Sequence, residues 1–290
     1  LQINEVPDSS GKKQADLVFE MLPNFRYTFQ TSLEASYSAS RNVLAGNLFG
    51  LGLNVSLLDR NFDKGAGRIT HTLRTGIELN SRSRGTDSKL INSNEVSYGF
   101  SISSPKLIKP FNNWFKKSSI AETFGNANVS YITRLNLFNL QSINLNGGFS
   151  WMPTSNVKVY WKPLFAEFSY LFNQSDSFRT ILDENPFLRY SYTTAFALGM
   201  AGGITSTKVT YNKTATVTRE RYYKLGLEES GLTWGLLPIL TKYKRNYVKL
   251  DLEYKRSWNY QKSAFVWRIF TGVGVPLLGS DTNRTLPFFK

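Results

Sequence analysis

The sequence predicts an all-β protein that crosses a membrane as an antiparallel barrel, and three observations lead to this prediction. Apolar and polar residues alternate with a period of two over many segments, which is the pattern of strands with one apolar and one polar face. Most of these segments run for ten residues or more, about the length that a tilted membrane strand requires. Aromatic residues make up 14% of the 290 residues, with 15 Tyr and 21 Phe, although the hydrophobic share of 41% is ordinary. This aromatic surplus suits the girdles that a barrel places at its two membrane interfaces.

Eleven strands are predicted from the alternation. Between Arg26 and Ala39, residues such as Phe29 and Leu33 share one face, and residues such as Gln30 and Ser32 share the other. The predicted strands lie near 26–39, 49–57, 68–79, 96–103, 127–138, 142–152, 157–172, 191–211, 216–228, 247–258 and 263–276. Single-chain bacterial barrels have even strand numbers, so an odd count predicts that further strands follow.

Composition excludes several classes of protein. No stretch approaches the roughly 20 apolar residues of a membrane helix. The chain has no cysteine, which removes disulfide frameworks and thiol catalysis. Its 35 Lys and Arg against 21 Asp and Glu give a net charge of +14. These basic residues are scattered rather than gathered in one stripe, so we predict no nucleic-acid partner.

No catalytic or metal-binding constellation emerges, and neither an enzyme activity nor a cofactor is predicted. The single histidine, His71, shares its strand face with Ile69 and Leu73, whereas a triad or a zinc site needs convergent partners. Gly199, Gly202 and Gly203 are expected to mark a bend in a long strand.

The connections alternate between short and long, as periplasmic turns and outer loops of such barrels do. Short turns are predicted at 153–156, 212–214 and 259–262, and long outer loops at 81–93, 173–190 and 229–246. A long link at 106–123 and a short link at 139–141 break this alternation. Two short helices are expected, one starting at Ser175 and carrying Phe178, Ile181 and Leu182, and one over 111–117.

A short strand-like run from Ala15 to Pro23 leads directly into the first predicted barrel strand, which contains Leu33-Glu34-Ala35-Ser36. Other distinctive runs are Asp59-Arg60-Asn61-Phe62, the segment 182–189, Trp267 to Pro276, and Thr285 to Lys290. Together these runs resemble the BamA/TamA superfamily of outer-membrane assembly factors and two-partner secretion transporters, and the segment 182–189 resembles its TamL-like branch in particular. In that family, the first run resembles the last strand of a periplasmic POTRA domain, Leu33-Glu34-Ala35-Ser36 resembles a Leu-Glu-Gly/Ala-Thr/Ser pattern, and Thr285 to Lys290 resembles the entry to the large sixth loop.

The resemblance implies a barrel of sixteen strands, in the bacterial outer membrane, that inserts or exports client proteins. Residues 1–25 would end a POTRA domain and its linker, and residues 26–290 would form the first two thirds of the barrel, up to the sixth outer loop. The implied partners are client proteins, outer-membrane lipid and lipopolysaccharide, and a periplasmic TamB-like or other assembly subunit. A lateral gate is implied at the first barrel strand, where an incoming client strand would pair with Thr28, Phe29, Gln30, Thr31, Ser32, Leu33, Glu34, Ala35 and Ser36.

Two alternatives from other classes remain. A passive channel or porin would use the charged residues of the strands near 68–79 and 247–258 to select solutes. An outer-membrane phospholipase or protease is disfavoured, because the single histidine is predicted on the apolar face.

Overall fold

The computed structural model of the protein describes residues 2–7, 13–18, 25–39, 47–80, 91–106, 120–185, 188, 192–212, 217–235 and 237–277. The first two strands form a hairpin of their own: β1 (Gln2–Pro7) and β2 (Lys13–Val18). The remaining strands are β3 (Tyr27–Ala39), β4 (Asn47–Asp59), β5 (Arg68–Asn80), β6 (Ile91–Ser104), β7 (Ile120–Arg134), β8 (Phe138–Thr154), β9 (Val157–Phe172), β10 (Ala195–Tyr211), β11 (Thr218–Ser230), β12 (Tyr247–Asn259) and β13 (Ala264–Pro276).

These eleven strands form one antiparallel sheet in which each strand pairs with its neighbours in sequence, from β3 at one edge to β13 at the other. The predictions of an all-β fold and of eleven consecutive long strands are therefore confirmed. None of the helices among the residues described is long and apolar enough to cross a membrane.

Several predicted boundaries are wrong. β6 begins at Ile91 rather than near 96, and β7 begins at Ile120 rather than near 127, so the ends of the predicted links 81–93 and 106–123 belong to strands. The fifth strand was expected to run to residue 138, but β7 ends at Arg134 and β8 begins at Phe138. Between them lies a tight turn, closed by the N–H of Leu137 on the carbonyl of Arg134, in which Asn136 has a φ of 60°. The turn is short because Asn tolerates the left-handed region at low cost.

The cross-strand register defines two faces of the sheet. The face that carries Phe29, Leu53, Tyr98, Leu225 and Leu252 is called the apolar face. The opposite face is called the polar face. Tyr27, Phe29, Leu51, Leu53, Tyr98, Phe100, Leu250 and Leu252 all lie on the apolar face. Many of its large side chains are 40–60% exposed, so the fold itself leaves this face largely uncovered.

The predicted helix after β9 is confirmed as α1 (Asp176–Glu184), and the side chain of Ser175 caps it by accepting the N–H of Phe178 at 3.2 Å. Phe178 and Leu182 are buried against Phe138 and Leu171 of β8 and β9. These two strand residues belong to the polar face. The helix therefore packs over one end of that face. The other predicted helix, over 111–117, lies outside the described residues.

A β-bulge interrupts the pairing of β9 and β10 next to the predicted bend. The register shifts between Gly199 and Ala201, where Pro163 and Leu164 of β9 stand against Met200 alone. Proline is tolerated at a bulge because it has no N–H to offer the ladder. The bulge is one of the features that position the connection 231–246, described below.

Tyr160 on the polar face crosses two neighbouring strands over their glycines. A Cβ at Gly203 of β10 would lie 2.7 Å from the Tyr160 ring, and one at Gly226 of β11 would lie 3.3 Å from its hydroxyl. The close approach of ring and backbone thus depends on the absence of side chains at both positions.

Gly203→Ala is expected to destabilise the protein by roughly 1–3 kcal/mol, as overpacking does. Its new methyl would lie 2.5 Å from the carbonyl oxygen of Leu225 as well as against Tyr160, and the backbone atom cannot move aside as a side chain can. The control is Gly202→Ala, whose methyl would meet its nearest atom at 3.4 Å. Urea unfolding of both variants in lipid vesicles measures the difference, and equal midpoints would contradict the packing described for Tyr160.

Candidate functional site

Strand β3, which carries all nine candidate pairing residues, lies at the edge of the sheet. It pairs with β4 over its whole length, in an unbroken register from Tyr27 opposite Asp59 to Ala39 opposite Asn47. Within the described ranges no strand lies on its other side, and β13 is likewise the last strand at the opposite edge. Each edge therefore presents a row of backbone groups that a further strand could pair with.

The backbone groups of β3 can be assigned to β4 or to the open edge. The N–H of Arg60 donates to the carbonyl of Arg26 at 2.9 Å, so these two opposite residues form a hydrogen-bonded pair. Hydrogen-bonded and non-hydrogen-bonded pairs alternate along an antiparallel ladder. The residues bonded to β4 are therefore Thr28, Gln30, Ser32, Glu34 and Ser36. Those that direct N–H and C=O to the open edge are Phe29, Thr31, Leu33 and Ala35.

Both faces of the edge strand are highly accessible. Phe29 and Leu33 on the apolar face are 68% and 86% exposed. On the polar face, Glu34 is the only charged residue of β3, and Arg74 of β5 lies 3.6 Å from its carboxylate. This ion pair spans β4 at Gly52, where no side chain intervenes. The strand thus combines unpaired backbone groups at its edge with one apolar and one polar face.

A clamp at the base of β3 fixes it to β4. The guanidinium of Arg26 donates two hydrogen bonds to the carboxylate of Asp59, each at 3.1 Å. The turn that follows is held by Asp63, which accepts the N–H groups of Gly65 and Gly67, and these bonds lower the pKa of Asp63. Sequence reasoning missed the clamp, because nothing in the spacing of Arg26 and Asp59 indicates that they lie side by side.

Most aromatic residues on the apolar face lie toward the two ends of the strands, and mainly aliphatic residues lie between them, together with Tyr98, Tyr223 and Tyr254. Toward the ends at which β3 begins and β4 ends lie Tyr27, Phe29, Phe100, Phe149, Trp151, Trp161, Trp258, Phe265 and Trp267. Toward the other ends lie Tyr37, Phe49, Tyr131, Phe168, Tyr170, Phe172 and Phe196. Between the two groups lie Leu33, Leu51, Leu53, Val96, Val129, Leu145, Leu164, Leu225, Leu250, Leu252 and Val273. This layout is that of an apolar band with two aromatic girdles.

The polar face carries charges of both signs in close pairs. Four of the pairs join Arg134 to Glu78 at 3.8 Å, Lys249 to Asp251 at 3.4 Å, Lys255 to Glu220 at 3.4 Å, and Arg268 to Glu253 at 2.6 Å. Lys249, Asp251, Glu253 and Lys255 of β12 all lie on this face. A cavity of about 390 Å³ lies on the same face, between Glu34 of β3, Phe138 of β8 and Tyr192 near α1.

His71 lies on the apolar face, as its parity predicted. Its Nδ1 is 2.7 Å from the hydroxyl of Tyr98, and its ring centroid is 5.2 Å from that of Phe100. No group of three or more potential metal ligands occurs among the residues that the structure describes. The histidine therefore belongs to an aromatic cluster on the surface of the sheet.

A comparison of this chain with protein-family models, with curated proteins and with solved structures gave no match.

Proposed function

We propose that this chain forms the first eleven strands of an outer-membrane barrel that inserts or exports client proteins, and that β3 is the strand with which clients pair. The observation that carries the proposal is the open edge of β3, whose outward backbone groups lie between an apolar and a polar face. An edge of this kind accepts another strand by β-augmentation. Barrels otherwise abolish their edges by closure, and in a barrel of sixteen strands β3 would lie at the seam where the first and last strands meet.

The membrane location is supported by the apolar face. Two groups of aromatic residues flank an aliphatic band on it, and most of its large side chains are exposed. In water, so large an apolar surface would drive aggregation, whereas in a bilayer it contacts acyl chains. The ion pairs of the polar face suit a water-filled lumen, in which charges of opposite sign compensate one another.

The remaining parts of the proposal rest on the family resemblance of the motifs. They comprise a barrel of sixteen strands, a POTRA domain of which the hairpin β1–β2 would be the end, and an assembly subunit in the periplasm. The clients are outer-membrane or secreted proteins as a class. Lipid and lipopolysaccharide contact the apolar face, and neither an enzymatic step nor a cofactor is proposed.

A disulfide across the seam tests the proposal in the full-length protein. Ser32 and Ser36 are hydrogen-bonded to β4, so each would face a closing strand as a non-hydrogen-bonded pair, at a Cα distance of about 4.5 Å. That distance lies within the range that a disulfide bridges. Ser32→Cys, combined with a cysteine at the opposite position of the last barrel strand, is expected to stop client assembly on oxidation and to restore it on reduction.

The readout is the amount of folded client barrel, followed by its heat-modifiable mobility on a gel. The chain has no cysteine of its own, so Ser32→Cys alone is a clean control that oxidation should leave active. The barrel itself should stay folded in every state. Full client assembly by the oxidised double variant would refute the lateral gate.

A passive channel is the second candidate, and the charge-lined polar face is the observation that favours it. A channel conducts through its lumen, so locking the seam would leave conductance unchanged. Large and steady conductance in a planar bilayer, together with no effect of the disulfide on any client, would select this alternative.

A further inference from the structure

The connection between β11 and β12, residues 231–246, lies against the apolar face. Glu229 shares that face with Leu225 and Leu227, because the three alternate along β11. Its carboxylate accepts the N–H groups of Leu232 and Thr233 at 3.0 and 3.4 Å, and also the hydroxyl of Thr233. The beginning of the connection is thereby fixed to the apolar face.

The bulge in β9 provides a second attachment. Pro163 is skipped in the register of β9 with both β8 and β10, and the indole N–H of Trp234 donates to its carbonyl at 2.9 Å. Met200, opposite the bulge, donates its N–H to the carboxylate of Glu229 at 3.0 Å. The connection is thus bonded to the backbone where the pairing is irregular, and irregular backbone at membrane depth requires such partners.

The end of the connection lies beside β10 and also contacts the apolar face. Lys244 forms an isolated parallel bridge with Phe196, and the N–H of Arg245 donates to the carbonyl of Phe196 at 2.8 Å. The ring of Tyr243 is 6.5 Å from that of Phe168 on the apolar face. Phe196 and Leu198 are both only 6% exposed, whereas Ile204 on the same face of β10 is 45% exposed. The connection therefore covers the end of β10 that continues beyond β11.

The outer surface of the connection is apolar. Leu232, Leu237, Ile239 and Leu240 are between 40% and 58% exposed, although they lie in a stretch without regular secondary structure. The backbone beneath them is held by contacts within the connection. The ammonium group of Lys244 donates a hydrogen bond to the carbonyl of Gly235 at 2.7 Å. Gly231 has a φ of +85°, a conformation that any side chain would strain. Polar groups are turned to the sheet and apolar groups are turned away from it.

We infer that residues 231–235 and 237–240, named here the apolar loop, are immersed in the acyl chains of the outer leaflet. The inference rests on the proposed membrane location of the sheet. Three features indicate that lipid contacts the loop. The loop continues the apolar face, its exposed side chains are mainly aliphatic, and it is followed in the sequence by Lys242 and Tyr243. A lysine beside an interfacial tyrosine suits the anionic headgroup region, where basic side chains extend toward phosphate. The loop would then anchor the outer rim of the barrel wall in the leaflet.

Spin labels test this in the full-length protein, reconstituted in phosphatidylcholine vesicles. Single cysteines replace Leu237 and Leu240, and Leu252→Cys and Asp183→Cys serve as references for the apolar band and for the surface of α1. Collision of each label with oxygen and with a water-soluble nickel chelate is measured. Labels at positions 237 and 240 are expected to match the label at 252, with high oxygen and low nickel accessibility.

Nickel accessibility at 237 and 240 like that at 183 would overturn the inference and leave the proposed function intact, provided that the label at 252 reports lipid. Low accessibility to both reagents would mean that protein covers the loop, and would equally overturn it. A label at 252 that reports water would show that the membrane location itself is wrong. The references therefore separate the two failures.

Trp234→Phe tests the attachment without changing the exposed side chains. It removes the donor to Pro163, so the label at 240 is expected to gain nickel accessibility, while the label at 252 stays unchanged. Trp258→Phe, on the apolar face of β12, is the matched control and should move neither label. If Trp234→Phe leaves the label at 240 unaffected, the indole does not position the loop.

Discussion

Leu33→Pro is expected to abolish client assembly and to leave the barrel folded. Leu33 directs its N–H to the open edge of β3, so proline removes a donor that a client strand needs and that β4 does not use. Edge strands tolerate proline when the missing N–H faces outward. The change is measured as folded client barrel per unit of the variant present in the membrane.

Two substitutions control for this prediction. Leu33→Ala shortens the same side chain but keeps its N–H, and should retain most of the client assembly. Ser32→Pro removes an N–H that bonds to β4, and an unpaired partner in the ladder costs about 1–3 kcal/mol, so this variant is expected to fold poorly. If Leu33→Pro assembles clients as well as Leu33→Ala does, the outward groups of β3 do not pair with clients.

Leu53→Arg is expected to impair folding into liposomes severely. Leu53 lies in the middle of the aliphatic band of the apolar face, where it pairs with Leu33 and Thr75. A lipid-facing arginine near the midplane of such barrels costs about 2–4 kcal/mol. The folded fraction, read from the mobility of unheated samples as the urea concentration falls, reports the loss.

The neighbouring positions on the polar face supply the controls. Asn54→Arg points into the proposed lumen, but it lies opposite Arg74, so some repulsion between like charges is expected. Ser56→Arg is the cleaner control, because its cross-strand partners are Gln30 and Thr72. Equal impairment by Leu53→Arg and Ser56→Arg would mean that the apolar face does not contact lipid.

The order and faces of the strands could be predicted from the sequence because the alternation is unambiguous. In β12, for example, Leu250 and Leu252 alternate with Asp251 and Glu253, and a shift of one residue would bury charge and expose leucine on the wrong sides. The boundary after β7 could not be predicted in the same way. Its turn contains Leu135 and Leu137, so the apolar pattern runs through the reversal of the chain without a break.

The position of the candidate strand in the sheet could be predicted from the sequence, but the hydrogen bonding of its backbone could not. The sequence identifies β3 as a long strand at the start of the sheet, but it does not show which of its N–H groups are already bonded. That distinction follows from a single pair, Arg26 and Arg60, which lie 34 positions apart in the chain. The attachment of Trp234 to Pro163 spans 71 positions, and neither residue is unusual in its local sequence.

The alternation of backbone groups along β3 sets the step by which a client strand could slide along this edge. Outward groups occur at every second residue, and these are the residues whose side chains lie on the apolar face. A client displaced by one residue would turn its polar side chains toward lipid, whereas a displacement of two residues, about 6.8 Å, restores both hydrogen bonding and sidedness. Pairing with such an edge depends on the two-residue alternation of apolar and polar side chains in the client strand, and not on which residues these are. One strand could therefore serve clients of unrelated sequence, advancing each in steps of a dipeptide.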